Sequence, residues 1–156
     1  MNEYKMKTEV ASSVVGLKRL FRKIILNIST SVWIPSSKRW YLLLLGGVKI
    51  EGPCFIGPHV SVDTIRPDLI KIGHGCCITA GTVILSHFIK DDTMFYGSVV
   101  IGKRVFIGTN TIIANAVRIG DGALIGAGSI VTKDIPSAEV WAGNPAKYIK
   151  KRIIEL

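Results

Sequence analysis

Aliphatic residues recur every six positions along the C-terminal two thirds of the chain. From Ile101 to Thr132 the period is unbroken: a small residue follows each aliphatic position, and the residue two places before it is small or β-branched. Neither the helical period of about 3.6 residues nor the two-residue alternation of a long strand produces this pattern. A six-residue repeat is typical of a parallel β-helix, in which each hexad forms one short strand and one corner.

The same phase begins well before this stretch and is broken twice. The twelve aliphatic positions are Ile50, Ile56, Val62, Ile72, Ile78, Ile84, Ile101, Ile107, Ile113, Ile119, Ile125 and Val131. If three hexads make one coil, they predict about four coils. Four extra residues follow Val62 and eleven follow Ile84, so both insertions leave from the same corner. Loops on one corner of a solenoid tend to build its binding side.

The pattern divides the chain into three segments. Residues 1–46 are predicted to be a basic helical segment, residues 47–135 the β-helix with an inserted loop at 85–97, and residues 136–156 a loop and short helix. Apolar spacings of three and four predict an amphipathic helix over residues 8–28. Ala146 to Ile154 is predicted to be helical, which would place Lys147 and Lys150 on one face.

Charge is concentrated in the N-terminal segment. The chain of 156 residues has a formal net charge of +9, and residues 1–40 hold eight basic and two acidic side chains, leaving +3 for the rest. A general nucleic-acid surface is therefore not indicated. Two interpretations of the helix at 8–28 stay open. Either the apolar stripe of this helix packs on the β-helix or on a partner subunit, or the helix lies on an anionic membrane surface.

Cysteine usage favours a reducing compartment. Because the sequence has three cysteines and no secretory leader, we expect a cytoplasmic protein. The basic helix suggests an alternative, peripheral attachment to the inner face of the membrane. The longest aliphatic run, Leu42 to Leu45, is far shorter than the roughly 20 residues needed to span a bilayer. Cys54 and Cys76 fall at inward positions of successive coils and are predicted to be core thiols.

Two segments resemble a known family. IGDGALIGAGSIVTKDIPSAEVWAGNPAKYIK (119–150) closely resembles the closing signature of the hexapeptide-repeat acyltransferases, in the branch of maltose, galactoside and polysaccharide O-acetyltransferases. VILSHFI (83–89) is similar to the segment that precedes that family's active-site loop. The resemblance covers about residues 46–152. It implies a left-handed parallel β-helix and a homotrimer with active sites between subunits.

The resemblance also implies the chemistry. His87 would be the general base for direct acetyl transfer from acetyl-CoA to a hydroxyl, a role that suits a group whose ordinary pKa is about 6.5. The main-chain N–H of Thr109 would donate to the oxyanion. The family's coenzyme contacts carry over to Thr109, Ala127, Thr132, Lys133, Lys147 and Lys150.

The acceptor is the least specified part. Asp63, on the same corner as His87, is the candidate sugar contact, with Asp91 and Asp92 as alternatives. The expected function is O-acetylation of a sugar or an envelope-polysaccharide precursor. N-acetylation of an amino sugar or amino acid and a non-catalytic scaffold remain alternatives. The histidines at 59, 74 and 87 fall in dispersed phases, so no metal site is expected.

Overall fold

The chain winds through three parallel sheets, visiting each in turn. The computed structural model describes residues 5–6 and 16–153. In chain order the elements are β1 (Lys5–Met6), α1 (Leu17–Ser29), α2 (Ser36–Leu45), β2 (Lys49–Ile50), β3 (Phe55–Ile56), β4 (Ser61–Val62), a 3-10 turn (Pro67–Leu69), β5 (Ile70–Ile72), β6 (Cys77–Ile78), β7 (Val83–Ile84), β8 (His87–Lys90), β9 (Thr93–Tyr96), β10 (Val99–Ile101), β11 (Phe106–Ile107), β12 (Ile112–Ile113), β13 (Arg118–Ile119), β14 (Leu124–Ile125), β15 (Ile130–Val131), β16 (Glu139–Ala142) and β17 (Lys147–Lys151).

Each sheet collects one hexad from every turn of the chain. Face A contains β2, β5, β10 and β13. Face B contains β3, β6, β11, β14, β16 and β17, and face C contains β4, β7, β12 and β15. On face A, Ile50, Ile72, Ile101 and Ile119 lie opposite one another in sequence. Faces B and C pair in the same phase, so the register predicted from the six-residue period is confirmed.

The inward positions form a single apolar column. Ile72, Ile78 and Ile84, one from each face, are completely buried. Burying an isoleucine side chain stabilises a fold by up to about 3 kcal/mol. Cys54 and Cys76 are also buried, and their thiols donate to the carbonyls of Gly73 and Gly102, so their prediction as core residues is confirmed.

The C-terminal end of the β-helix, called here its upper end, extends beyond the predicted repeat. Ile135 lies opposite Ile119, and Trp141 lies opposite Ile125. Each of these pairs is 16 residues apart, against 18 for Ile101 and Ile119. The six-residue phase therefore breaks after Val131, as expected, but the parallel stacking continues for one more partial turn.

The C-terminal helix predicted for Ala146 to Ile154 is wrong over the described residues. Lys147–Lys151 form β17, which pairs antiparallel with β16. As the last parallel strand of face B, β16 would leave an edge of unpaired N–H and C=O groups, and the returning chain satisfies them. Tyr148 also suits a strand, and its ring meets that of Trp141 edge-on at 6.4 Å.

The two helices α1 and α2 close the N-terminal end of the β-helix, called here its lower end. α1 belongs to the helix predicted over residues 8–28, of which residues 8–15 lie outside the described part. α2 was not predicted, since its segment was expected only to lead into the first coil. The buried guanidinium of Arg39 on α2 donates to the carbonyls of Ile56 (3.0 Å) and Ser31 (3.1 Å). It thereby ties the helices to face B.

The insertion at 85–97 is a β-hairpin, although a loop was expected there. β8 and β9 pair antiparallel, and β1 adds to the other edge of β9. Asp91 and Asp92 form the two-residue turn with φ angles of 47° and 58°. Aspartate tolerates this left-handed conformation better than most residues, which suits a tight hairpin turn. Of the helices in the described residues, none has the length and apolar character to cross a membrane.

Candidate functional site

The two insertions bring His87 and Asp63 together at one corner. Asp63 directly follows β4 on face C, and His87 follows β7 on the same face one turn later. The N–H of Asp63 donates to the carbonyl of Ile84 at 3.0 Å, which stacks the two exits. The prediction that both insertions leave from the same corner is therefore confirmed.

The carboxylate of Asp63 contacts the imidazole directly. Its Oδ2 is hydrogen-bonded to Nδ1 of His87. The side chain of Asp63 has no exposed surface, whereas 23% of the His87 side chain remains exposed. The structure thus places Asp63 beneath His87, where the carboxylate touches the imidazole rather than solvent.

Two main-chain groups complete the cradle around Asp63. The N–H of Ile65 donates to its Oδ1 at 2.8 Å, and the N–H of Ser86 donates to its Oδ2 at 3.0 Å. The buried hydroxyl of Ser86 donates in turn to the carbonyl of Arg66 at 3.1 Å. Sequence reasoning missed Ser86, although it sits between Leu85 and His87 in the quoted segment. A small polar residue just before the histidine was the signal.

These contacts hold Asp63 as a carboxylate. Burial would raise the pKa of Asp63, but hydrogen bonds from His87, Ser86 and Ile65 favour the ionised form and leave its pKa below the usual value. A carboxylate at this point accepts a hydrogen bond from the N–H at Nδ1 of His87. Because only one nitrogen of a neutral imidazole carries hydrogen, that arrangement leaves Nε2 as the proton acceptor.

Aromatic side chains stiffen the hairpin that carries His87. The rings of Phe88 and Phe95 stack with centroids 4.9 Å apart. Buried Tyr96, which pairs with His87 across the hairpin, lies under the guanidinium of Arg66 at 5.5 Å. These contacts pack together the two strands of the hairpin that carries the imidazole. The tip residues Asp91 and Asp92 are exposed to solvent at the far end of the hairpin.

A second group of predicted residues lies on the corner between faces B and C. Thr109 and Ala127 are both exposed and stack on successive turns, with the N–H of Gly128 donating to the carbonyl of Thr109 at 2.8 Å. A Cβ on Gly108 would lie 2.4 Å from the nitrogen of Ala127, so this corner admits only glycine there. Among the hydrogen bonds of the described residues, none engages the N–H of Thr109.

Basic side chains gather near the upper end. Thr132 and Lys133 are exposed at the corner after face C, and the Lys133 ammonium lies 5.2 Å from the centre of the Trp141 ring. Lys147 and Lys150 are exposed on β17. A bulge in the pairing of β17 places both opposite outward positions of β16, so they share a face of the strand as they would have on a helix.

Within one chain, these groups occupy different corners. His87 and Asp63 lie at the corner after face C, whereas Thr109 and Ala127 lie at the corner before it. The described chain therefore does not bring the histidine and the predicted oxyanion donor into one pocket. The described residues contain no cluster of three or more His, Cys, Asp or Glu side chains that could hold a metal ion.

Comparisons with known proteins agree with this architecture. The family model described as bacterial transferase hexapeptide (six repeats) matches residues 89–133. The protein YvoF of Bacillus subtilis (strain 168) is 32% identical over 140 residues, covering 90% of this chain and 81% of YvoF. Protein CapG of Staphylococcus aureus is 42% identical over 113 residues, covering 67% of this chain and 66%, just under two thirds, of CapG.

Solved structures show the same fold. A maltose O-acetyltransferase from Clostridium difficile 630 superimposes with a TM-score of 0.65 and 26% identity, covering 88% of this chain and 87% of that one. A galactoside acetyltransferase in complex with coenzyme A gives 0.61 and 25%, covering 86% and 80%. The likeness implies the left-handed parallel β-helix expected from the sequence resemblance.

Proposed function

Because the chain belongs to the bacterial transferase hexapeptide family, we propose that it transfers acetyl groups from acetyl-CoA to a hydroxyl of a sugar-type acceptor. The observation that carries the proposal is the pairing of Nδ1 of His87 with the buried carboxylate of Asp63. This pairing leaves Nε2 free to accept a proton. Asp63 is then a positioning residue for His87, not the substrate contact that the sequence suggested.

The first step is nucleophilic attack on the thioester. Nε2 of His87 takes the proton of the acceptor hydroxyl while that oxygen bonds to the acetyl carbonyl carbon of acetyl-CoA. The imidazolium that forms is stabilised by the carboxylate of Asp63, which stays ionised. The negative charge that develops on the carbonyl oxygen is met by the N–H of Thr109.

The second step breaks the carbon–sulfur bond. The tetrahedral intermediate collapses, the coenzyme leaves as a thiol after receiving the proton from His87, and the acceptor leaves as an acetyl ester. The histidine returns to its starting form, and no covalent acyl-enzyme is formed. Transfer is therefore direct.

A trimer would complete the site. Since His87 and Thr109 lie on different corners of one chain, a second copy has to supply one of them. The outward positions of faces B and C support such packing because they are mostly apolar, whereas those of face A are mostly charged. The residues are Phe55, Cys77, Phe106 and Leu124 on face B, Ser61, Val83, Ile112 and Ile130 on face C, and Lys49, Lys71, Val100 and Arg118 on face A.

Acetyl-CoA would lie along the groove between two copies. Ala127 is small, so the coenzyme's pantetheine arm can approach the main chain of that corner, with Thr132 further along. Lys133, Lys147 and Lys150 offer ammonium groups to the coenzyme's phosphates. The coenzyme A complex of the galactoside acetyltransferase supports this choice of donor.

A hydroxyl acceptor is supported by the named sugar acetyltransferases. Maltose and galactosides present ring hydroxyls, and the base at His87 suits an alcohol proton. We infer that the substrate is a free sugar or a saccharide precursor of the cell envelope.

The test is thiol release from acetyl-CoA over a panel of sugars and amino sugars, with mass analysis of the product. We expect an acetyl ester on a hydroxyl acceptor and its loss in His87→Ala. His74→Ala, which removes an exposed histidine from another corner, is the matched control. Product only on amines would move the assignment to N-acetylation, and no release with any acceptor would favour a non-catalytic scaffold.

A further inference from the structure

The apolar stripe of α1 points away from the other described residues. At about 100° per residue, Leu20, Phe21, Ile24 and Ile28 fall within one arc of the helix. Each is at least 47% exposed, and Phe21 reaches 62%. The side of α1 that faces the protein carries the buried residues Leu26 and Ser29. The stripe from Phe21 to Ile28 therefore does not pack on the β-helix.

The exposed apolar surface continues past the end of α1. Val32 is 58% exposed and Trp33 is 90% exposed, both in the turn between the two helices. These six residues, from Leu20 to Trp33, are called here the N-terminal apolar surface. Leaving a tryptophan ring 90% exposed to water, close in sequence to exposed isoleucines, is unfavourable. It is favourable where one end of the ring is apolar and the other is hydrated, as at a membrane interface.

The segment that carries this surface has charged side chains of one sign only. Between Val10 and Ile50 the sequence has no Asp or Glu, and its basic residues are Lys18, Arg19, Arg22, Lys23, Lys38, Arg39 and Lys49. Arg39 is buried and engaged with main-chain carbonyls, so it does not count toward the surface. Arg22 and Lys38 are exposed, and Lys23 is half-buried. At about 100° per residue Lys23 lies about 60° from Leu20, at the margin of the stripe, whereas Arg22 lies on the side of Leu26 and Ser29.

We propose that the N-terminal apolar surface docks on an anionic lipid bilayer, with α1 lying along the membrane plane. Apolar residues on one side of a helix and lysines at its margin are the arrangement that interfacial helices require. A second copy meeting the same surface would place cations against cations, with no acidic side chain in the segment to relieve the repulsion. Since no described helix has the length and apolar character to cross a bilayer, the contact is peripheral.

The experiment is co-sedimentation of the full chain with vesicles. Mixed phosphatidylcholine–phosphatidylglycerol vesicles are compared with pure phosphatidylcholine at low and high salt. The test variants are Ile24→Ser with Ile28→Ser, and Lys23→Gln with Lys38→Gln. Lys71→Gln with Lys103→Gln is the charge-matched control, since both lysines are exposed on the β-helix.

We expect binding to the anionic vesicles that weakens with salt. Losing two lysines should lower the partition coefficient by about 30-fold, because each contributes about fivefold near an anionic surface. The isoleucine pair should lower it by about tenfold or more. The control pair should bind as the unaltered chain does.

Three results would overturn the proposal. They are no binding to anionic vesicles, equal binding by the test variants and the unaltered chain, or a change of oligomeric mass in the isoleucine variant with vesicle binding intact. The last result would assign the surface to a second copy. Thiol release with a soluble acceptor is measured without vesicles, so failure of the proposed chemistry is seen separately from failure of docking.

Discussion

Replacing Asp63 by Asn tests whether the buried carboxylate orients His87, the proposed general base. The substitution keeps the shape of the side chain. However, the NH2 group of Asn in the Oδ2 position would face two donors, the N–H of Ser86 and Nδ1 of His87. The opposite orientation would set the NH2 group against the N–H of Ile65, which donates to Oδ1. In both orientations the imidazolium loses its carboxylate partner. With the NH2 group at the Oδ2 position, Nδ1 of His87 would become the acceptor and Nε2 would carry the hydrogen. The base would then be in the wrong tautomer.

The size of the effect follows from what is lost. Positioned general bases contribute about 10²–10⁴-fold in rate, and a wrong tautomer in a comparable histidine–carboxylate pair costs about 10⁴-fold. We therefore expect kcat for thiol release to fall by about 10²–10⁴-fold in Asp63→Asn. KM for acetyl-CoA should change little, because the predicted coenzyme residues lie elsewhere. Unpairing the Ser86 N–H should also lower the free energy of unfolding by about 1–3 kcal/mol.

The matched control is Asp68→Asn, which makes the same chemical change five residues away. Asp68 pairs with Arg66 and is 44% exposed, so its replacement should leave kcat unchanged. Steady-state kinetics on folded protein, checked by thermal unfolding, separate activity from stability. A wild-type kcat in Asp63→Asn would refute the positioning role. A rise in the acceptor KM alone would restore Asp63 as a substrate contact.

Three further predictions concern stability and the coenzyme. Folding lowers the pKa of Asp63, so its carboxylate stabilises the fold above the unfolded-state pKa of about 4, and this stabilisation is lost as pH falls through the lower folded-state pKa. The difference in free energy of unfolding between wild type and Asp63→Asn, measured in urea, should therefore shrink in acid; a wider difference in acid would contradict this account. Gly108→Ala should lower the free energy of unfolding by about 1–3 kcal/mol or more, because the new Cβ would meet main-chain atoms of Ala127. In the control Gly16→Ala the new Cβ meets nothing within 4 Å. Equal melting temperatures of the two variants would contradict the stacked corner. Lys147→Gln with Lys150→Gln should raise KM for acetyl-CoA severalfold in a salt-dependent manner, and the control Lys103→Gln should not. If the double variant and the control had the same KM, β17 would not belong to the coenzyme site.

The β-helix was predictable because its information is periodic and local. Each inward position, such as Ile107, repeats six residues after the last, and stacking follows from that count alone. The resemblance of residues 119–150 to the hexapeptide-repeat acyltransferases is confirmed at the level of the family. The proximity of Asp63 and His87 was also predictable, since both follow the same face.

The remaining features depend on tertiary contacts that the sequence pattern does not express. The segment after Ala146 has lysines at helical spacing, but the free edge of β16 makes a strand more favourable. α2 has an unbroken leucine run at Leu42 to Leu45 without clear periodicity, so its helical form depends on packing over face B. The positioning role that we propose for Asp63 differs from the predicted substrate contact because the burial of Asp63 beneath His87 becomes evident only when the two corners stack.

The most direct test of the proposed chemistry is the rate of acetyl transfer by His87→Ala at saturating acetyl-CoA and acceptor. We predict a decrease of about 10²–10⁴-fold in thiol release with an unchanged dissociation constant for acetyl-CoA, measured on protein shown to be folded. The melting temperature should fall, because buried Asp63 loses a hydrogen-bond donor. A rate equal to that of the unaltered chain would show that acetyl transfer does not use His87, and it would contradict the proposed mechanism.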